Sequence, residues 1–237
     1  MTQVSNQVPI FCVNLQRATE RKQLIQELWI NKLGFNITFW NAYDRRNVQN
    51  GQLLYPYNAE NAKYKIGREL SLGEIACATS FITLYEHIIS NDIQEAIIME
   101  DDIVPTIINQ NQLYDAINQG KFEFPQAEMI LLHQLPSYLT NNAESYEKIY
   151  NIKKHFFSQC QSAPWGNQLF YITNKAVRVL LKELVPIEIA ADYPQDMLAR
   201  QGKLIIANNP LCTHDWSTEG QTYIGNDYRN SRRIFIP

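Results

Sequence analysis

Short apolar runs alternate along this chain with segments in which apolar residues recur at helical spacing. Runs of four to eight residues rich in apolar and β-branched side chains are typical of strands. We predict strands at Pro9–Leu15, Asn36–Trp40, Glu95–Met99, Glu128–Leu135, Gln168–Thr173 and Lys203–Pro210. The second run alternates polar and apolar residues, as a half-buried strand does, and the last run is expected to be the final strand of the fold.

Apolar residues spaced three and four apart predict helices between these strands. The longest stripe consists of Ile75, Ala78, Ile82, Tyr85 and Ile89. Ser71, with Glu74 three residues later, predicts a capping box at the start of this helix. Shorter helices are predicted around Leu24–Leu28 (after a Thr19 cap and before Gly34), at Leu113–Ile117, at Val177–Leu184, and from Pro194 to Gly202.

The order of these elements predicts the architecture. Strands alternate with helices through the first hundred residues, which favours an α/β fold with a mostly parallel sheet covered by helices on both faces. The segment from Asn41 to Arg68 is polar, rich in Asn and Tyr and without clear periodicity, so it is interpreted as a long functional loop. We expect one domain over residues 1–237, because no linker or internal repeat interrupts the pattern.

Composition narrows the function classes. The chain has 237 residues, 45% of them hydrophobic and 19% charged, which is the balance of a globular protein with a sizeable core. A net charge of -3 argues against a nucleic-acid binder. Four cysteines, Cys12, Cys77, Cys160 and Cys212, are scattered singly, which excludes a zinc motif. The sequence shows no signal peptide and no membrane span, so a cytoplasmic location is expected.

Three consecutive acids, Glu100, Asp101 and Asp102, directly follow a predicted buried strand. Ligands of open α/β sheets bind at the carboxyl ends of the strands. Carboxylates suit Mg²⁺ or Mn²⁺, with a substrate phosphate completing the metal's ligands. If the chain stays extended, Glu100 and Asp102 face one side and Asp101 the other. The alternative is that the acids cap the following turn or form a solvated edge.

Several phosphate and acyl-transfer motifs are absent. The sequence has no G-x-x-x-x-G-K-[ST], no G-x-G-x-x-G after a strand and no G-x-S-x-G. What remains is a metal–diphosphate site without a glycine-rich loop, of the kind that nucleotide-sugar enzymes use.

Several segments together resemble one known family. They are "FCVNLQRATERKQLI" with Asn14, Leu15, Arg17 and Arg21; "FWNAYDRR" with Ala42 and Asp44; "SLGEIACATSF" with Gly73, Glu74, Cys77 and Ser80; "AIIMEDDIVP"; "LFYITNKAVRVLL"; and "YPQDML". In order and spacing they resemble glycosyltransferase family 25, which includes bacterial lipooligosaccharide galactosyltransferases. The resemblance is strong from residue 10 to 105 and thin after 185. Ala76 replaces the family's usual Gly, and Phe81 its usual His.

The resemblance implies a GT-A fold, a UDP-sugar donor, Mn²⁺ or Mg²⁺, and transfer with inversion. It implies galactose transfer from UDP-galactose to a glycan or glycolipid acceptor of bacterial lipooligosaccharide or lipopolysaccharide. Residues 1–105 would form the nucleotide-sugar-binding half and residues 106–237 the acceptor-binding half. Three alternatives stay open: UDP-glucose or another donor, a degenerate homologue that binds without turnover, and a phosphoryl- or nucleotidyl-transferase.

The resemblance and the residue chemistry together suggest roles for individual side chains. The predicted metal ligands are Glu100, Asp102 and His214; the predicted substrate-binding residues are Asn14, Arg17, Asp44, Ser80, Asp101 and Trp165. Asp44 could equally be a turn aspartate, Ser80 a helix-surface serine, His214 a structural histidine and Trp165 a core tryptophan. Arg21, Glu74 and Cys77 are interpreted as a solvated surface arginine, a capping residue and a core residue, respectively.

An inverting transferase needs a base that takes the proton of the acceptor hydroxyl. Asp196, early in a predicted helix, ranks first, and Asp192 ranks second because it could instead cap that helix. The tail "YRNSRRIFIP" could rest on anionic lipid at the inner membrane, beside a glycolipid acceptor, although a frayed terminus is the commoner explanation.

Overall fold

The computed structural model describes residues 8–133, 157–159 and 166–215. The strands are β1 Ile10–Asn14, β2 Ile37–Asn41, β3 Glu95–Glu100, β4 Ile103–Pro105, β5 Met129–Leu131, β6 Phe157–Gln159, β7 Leu169–Thr173, β8 Leu204–Ala207 and β9 Cys212–His214. The helices are α1 Thr19–Ile25, α2 Arg45–Gln49, α3 Ala59–Ile66, α4 Leu72–Ser90, α5 Gln110–Glu123, α6 Asn174–Leu184 and α7 Gln195–Arg200. A π-helical segment, Gln26–Asn31, continues α1.

The central sheet has seven strands in the order β2-β1-β3-β7-β5-β8-β6. β1 pairs in parallel with β2 and β3, β5 pairs in parallel with β8, and β7 and β6 run antiparallel to their neighbours. Five of the seven strands therefore share one direction, which confirms the predicted mostly parallel sheet. β4 and β9 form a separate antiparallel pair beside it.

Alternate side chains of the sheet build a core on each face. In β3, Ala96 and Ile98 pack with residues of α4 and α6, whereas Ile97 and Met99 pack with Ile25, Trp29 and residues of α5. Because β3 lies between two strands and is apolar on both faces, its only polar positions are Glu95 and Glu100, at its two ends. Helices thus cover both faces of the sheet, as predicted.

Helix α4 begins with the predicted capping box. The Ser71 hydroxyl accepts a hydrogen bond from the Glu74 amide (3.2 Å), and the Glu74 carboxylate accepts one from the Ser71 amide (2.8 Å). Arg68 donates two further hydrogen bonds to this carboxylate (2.6 and 2.8 Å). Glu74 is therefore a capping residue, as interpreted from the sequence.

The polar segment from Asn41 to Arg68 is not one long loop, as was predicted. It contains α2 and α3, whose first turns are capped by the side chains of Asp44 and Asn58. These helices have five and eight residues, too short for an apolar stripe to show clearly in the sequence.

Two further boundary predictions are wrong. Thr19 is the first residue of α1 rather than its cap, and Ala18 at the cap position makes no side-chain hydrogen bond. The Lys203–Pro210 run supplies β8, but β9 follows it and is the last strand within the described residues. β9 has only three residues and depends on pairing with β4, so its own sequence carries little signal.

No helix in residues 8–133, 157–159 and 166–215 is long and apolar enough to cross a membrane. The arginine-rich tail, Cys160 and Trp165 lie outside these residues.

Candidate functional site

The carboxyl ends of β1, β2 and β3 lie side by side. Asn14 at the end of β1 is in register with Asn41 of β2, and Val13 is in register with Glu100 of β3. The residues that follow these strands therefore meet at one edge of the sheet, where open α/β sheets bind ligands.

Asp101 is held by two side chains of the neighbouring β1–α1 segment. Its Oδ2 accepts a hydrogen bond from Asn14 Nδ2 (2.7 Å), and its Oδ1 accepts one from Arg21 Nη1 (3.0 Å). All three side chains are buried. Both Asp101 oxygens are thus bound by the protein itself, and direct substrate contact by Asp101 or Asn14 stays a prediction.

The interpretation of Arg21 as a solvated surface arginine is wrong. Only 8% of Arg21 is exposed, and its Nη1 contacts both Asp101 and Asp102. A signal was present in the sequence: Arg21 lies four residues before Ile25 and eight before Trp29, on the side of the helix that is buried. Arginine is almost never buried unless it is paired, and Arg21 is paired with Asp101 and Asp102.

Asp102 is approached from the other side by His214. The Asp102 Oδ2 atom lies 3.3 Å from Arg21 Nη1 and 3.3 Å from His214 Nε2. The β4–β9 pairing brings His214 there, because it is in register with Ile103. The structure therefore brings Asp102 and His214 together, as their predicted shared role requires.

These contacts shift the pKa values of the two groups in opposite directions. Burial alone would raise the pKa of Asp102, but the hydrogen bond with His214 and the positive charges of His214 and Arg21 lower it below its ordinary value. The hydrogen bond with the Asp102 carboxylate in turn raises the pKa of His214. The other carboxylate oxygen, Asp102 Oδ1, is buried and has no hydrogen-bond partner.

The expected alternation of the three acids does not continue past Glu100. Asp101 and Asp102 both contact the same nitrogen of Arg21, so they are not on opposite sides of the chain. β3 ends at Glu100, and a bend at Asp101 and Asp102 replaces the extended conformation on which the prediction depended.

Carboxyl groups outnumber basic side chains around the three acids. Burial raises the pKa of Glu100 well above its ordinary value, and the charges of Asp102 and Asp101 raise it further. The charge of Asp192 adds to this effect. Burial and the Asp102 charge also raise the pKa of Asp101, against the effect of Arg21. Such a cluster favours the binding of a further cation.

The unpartnered Asp102 Oδ1 and this excess of carboxyl groups fit a divalent metal ion. No group of three or more His, Cys, Asp or Glu side chains in the described parts of the chain is already arranged as a metal site. A magnesium-like ion held by one or two carboxylates normally completes its ligands with water and substrate phosphate. The residues therefore fit an ion that arrives with a phosphorylated ligand.

Asp44 and Arg17 form an ion pair at the neighbouring strand end. Arg17 Nε lies 2.7 Å from Asp44 Oδ2, and Arg46 contacts the same oxygen (2.8 Å). Partial burial would raise the pKa of Asp44, but hydrogen bonds from Arg46 and Arg17 lower it to about 2. Asp44 is also the cap of α2, so the turn-aspartate alternative is correct, and any nucleoside contact would be additional to it.

Ser80 is buried in α4 rather than on the helix surface. Its hydroxyl accepts a hydrogen bond from the Tyr43 amide (2.8 Å) and donates one to the Ala76 carbonyl (2.8 Å). It therefore fixes the turn that carries Asp44, while its contact with substrate stays a prediction.

Cys77 behaves as a core residue. It packs against the apolar cluster on the α4 face of the sheet, and burial raises the pKa of its thiol well above its ordinary value. A thiol that stays protonated is a poor nucleophile.

The two candidate bases differ in their surroundings. Asp192 Oδ2 accepts a hydrogen bond from the Gly166 amide (3.0 Å), and its charge reaches Glu100. Asp196 Oδ2 lies 2.6 Å from Arg200 Nε, in an ion pair whose arginine is 74% exposed. Asp192 does not cap α7, which was the alternative interpretation of this residue, because Pro194 occupies the cap position.

The model of glycosyltransferase family 25, described as an LPS biosynthesis protein family, matches residues 7–198. The chain belongs to glycosyltransferase family 25. The match spans β1 to α7 and includes every acid of the site described above. Family membership assigns the protein to the glycosyltransferases and to lipopolysaccharide biosynthesis. A comparison with curated proteins found no significant match.

Solved structures with a similar chain course were also found. A glycosyltransferase involved in the glycosylation of the major capsid of PBCV-1 is 12% identical, with a TM-score of 0.41 and coverage of 87% of this chain and 93% of that one. UDP-glucose pyrophosphorylase complexed with UDP-glucose is 10% identical (TM-score 0.48; 95% and 99% covered). Mouse xyloside xylosyltransferase 1 is 11% identical (TM-score 0.38; 81% and 75% covered).

The departure from the family pattern at Phe81 lies in the core. Phe81 is 1% exposed and packs against Phe170 and Tyr85, with ring centroids 6.4 and 5.9 Å away. Among the described residues it therefore contributes to packing between α4 and β7. With Phe in place of the family's usual His, Asp101 and Asp102 still make their contacts with Arg21, Asn14 and His214.

Proposed function

We propose that this family 25 protein is a metal-dependent inverting glycosyltransferase with a GT-A-like fold. Its proposed reaction moves galactose from UDP-galactose to a glycan acceptor of lipooligosaccharide or lipopolysaccharide. The observation that carries the proposal is the acidic site itself: Asp102 presents an unpartnered buried oxygen, and burial and the neighbouring acids raise the pKa of Glu100, so that a bound cation would stabilise its charged form. Such a site suits a divalent ion bound with a diphosphate.

Each proposed role follows from position. Asp102, with Glu100 and His214 beside it, would hold the divalent ion. When bound, such an ion neutralises the diphosphate and lets UDP leave as a stabilised anion. The ion pair of Arg17 and Asp44 lies just beyond the end of β2. The polar groups of this pair would orient the nucleoside of the donor there.

Asp192 is proposed as the base, ahead of Asp196. An inverting transfer needs one carboxylate that accepts the proton of the acceptor hydroxyl as the new bond forms. The charge of Asp192 raises the pKa of Glu100, and the Gly166 amide donates a hydrogen bond to the Asp192 carboxylate, whereas Asp196 forms an ion pair with the exposed Arg200. The structure thus favours the residue that the sequence ranked second.

The decisive experiment follows product formation from UDP-galactose and from UDP-glucose, with lipooligosaccharide acceptors and with water. Release of UDP from UDP-galactose with acceptor-dependent product supports the proposal. Preference for UDP-glucose would change the donor and keep the reaction class. Binding of UDP-sugar without any turnover would make the protein a binding homologue.

We expect UDP binding to depend on divalent metal. The site described has several acidic side chains and no glycine-rich loop, so a diphosphate brought there without a cation has little to offset its charge. UDP affinity should fall at least about tenfold, or about 1.4 kcal/mol, when Mn²⁺ is replaced by EDTA. Isothermal titration calorimetry measures this directly, and equal affinity under both conditions would contradict the metal assignment.

A further inference from the structure

We propose that Arg21 is a positioning residue, which holds Asp101 and Asp102 in the orientation that leaves Asp102 Oδ1 unpaired and available to a divalent cation. This inference rests on the proposed metal–diphosphate site and identifies the residue that arranges it. Arg21 belongs to α1, 80 residues before Asp101 in the sequence, so the site is assembled across the β1–β3 boundary of the sheet.

One side of the α1 helix and its π-helical continuation fixes the whole bend after β3. Arg21 Nη1 contacts Asp101 Oδ1 (3.0 Å) and Asp102 Oδ2 (3.3 Å). Two turns further, Trp29 Nε1 donates a hydrogen bond to the Ile103 carbonyl (3.3 Å). Ile25 lies between them in the core. The bend is therefore attached to this helix at both of its ends.

These contacts give the two aspartates different roles. Asp101 has one oxygen bound by Asn14 and the other by Arg21, so it anchors the bend. Asp102 has one oxygen taken by Arg21 and His214 and the other left without a partner. Only Asp102 of this pair therefore has an oxygen free for a ligand.

A purely electrostatic role for Arg21 predicts the opposite effect. A guanidinium beside a metal site repels the metal, so its removal would strengthen metal binding if charge were all that mattered. A positioning role predicts weaker metal binding, because Asp102 loses its fixed orientation. Removal of groups that orient metal ligands typically costs 10–100-fold in metal affinity.

The test measures UDP affinity by calorimetry in Mn²⁺ and again in EDTA, and takes the ratio as the gain due to metal. We expect Arg21→Gln to lower this ratio roughly 10–100-fold. Arg21→Lys keeps the charge but not the planar donor group, so it should recover part of the loss. Lys121→Gln is the matched control. It breaks the Lys121–Glu95 ion pair (2.6 Å) at the opposite end of β3, and its ratio should stay at the wild-type value.

A double variant separates positioning from folding. Arg21→Gln alone leaves a buried carboxylate without its cation, which lowers the melting temperature. Arg21→Gln with Asp101→Asn removes both charges and should melt closer to the wild type, yet keep the lowered ratio. An unchanged or larger ratio in the variants that lack Arg21 would overturn the inference and leave the proposed function standing. A wild-type protein with no gain from Mn²⁺ would overturn both.

Discussion

Asp102→Asn should abolish most transferase activity while the protein stays folded. The asparagine oxygen can still accept the hydrogen bonds that Arg21 and His214 make to Oδ2, and its NH₂ group replaces the unpartnered Oδ1. The fold therefore keeps its contacts, but the proposed metal loses a charged ligand. A metal ion supplies several kcal/mol of charge stabilisation, so we expect a loss of about 10³-fold in turnover. A steady-state assay of UDP release measures it.

The matched control is Asp115→Asn on the exposed side of α5, which makes the same chemical change away from the site. Both variants should melt within about 3 °C of the wild type, because Arg21 keeps its ion pair with Asp101 in the first and the second changes an exposed side chain. If Asp102→Asn unfolds instead, the acids at the end of β3 are structural. Wild-type turnover in a folded Asp102→Asn protein would remove Asp102 from the metal site.

Asp192→Asn should reduce transfer by roughly 10²–10⁴-fold, the usual contribution of a general base. The asparagine oxygen can still accept the hydrogen bond from the Gly166 amide, so the local structure and the UDP affinity should be unchanged. An amide cannot take up the acceptor proton, and the loss should therefore appear in kcat rather than in donor binding. Turnover with acceptor and calorimetry with UDP together check this.

Asp196→Asn tests the alternative within the same segment. It breaks an exposed ion pair with Arg200, which is worth about 1 kcal/mol or less. A tenfold change in rate requires a change of about 1.4 kcal/mol in the activation free energy. Because only a small part of this weak ion pair would act on the reaction, we expect turnover within about twofold of the wild type. The reverse pattern, with activity lost in Asp196→Asn alone, would restore the ranking suggested by the sequence. Normal turnover in both variants would place the base elsewhere in the chain.

The main elements of the fold could be predicted from local patterns. Apolar runs located β1, β3, β7 and β8, and helical spacing with the Ser71–Glu74 pair located α4. These signals are strong because strands buried on both faces are continuously apolar, and long amphipathic helices repeat their spacing over several turns. The short helices α2 and α3 and the three-residue strand β9 were missed, because elements of that length repeat no pattern and depend on their partners.

The same distinction between local sequence and tertiary structure applies to the chemistry of the site. The sequence by itself determined where the acids lie, since three carboxylates directly after an apolar strand must emerge at its carboxyl end. Only the tertiary structure decided what each acid contacts. Arg21 and His214 reach Asp102 through the pairing of β1 with β3 and of β4 with β9, across long stretches of chain. Side-chain periodicity indicates which face of an element is buried, but not which distant residue packs against it. The contacts with these distant residues occupy both oxygens of Asp101 and leave one oxygen of Asp102 available.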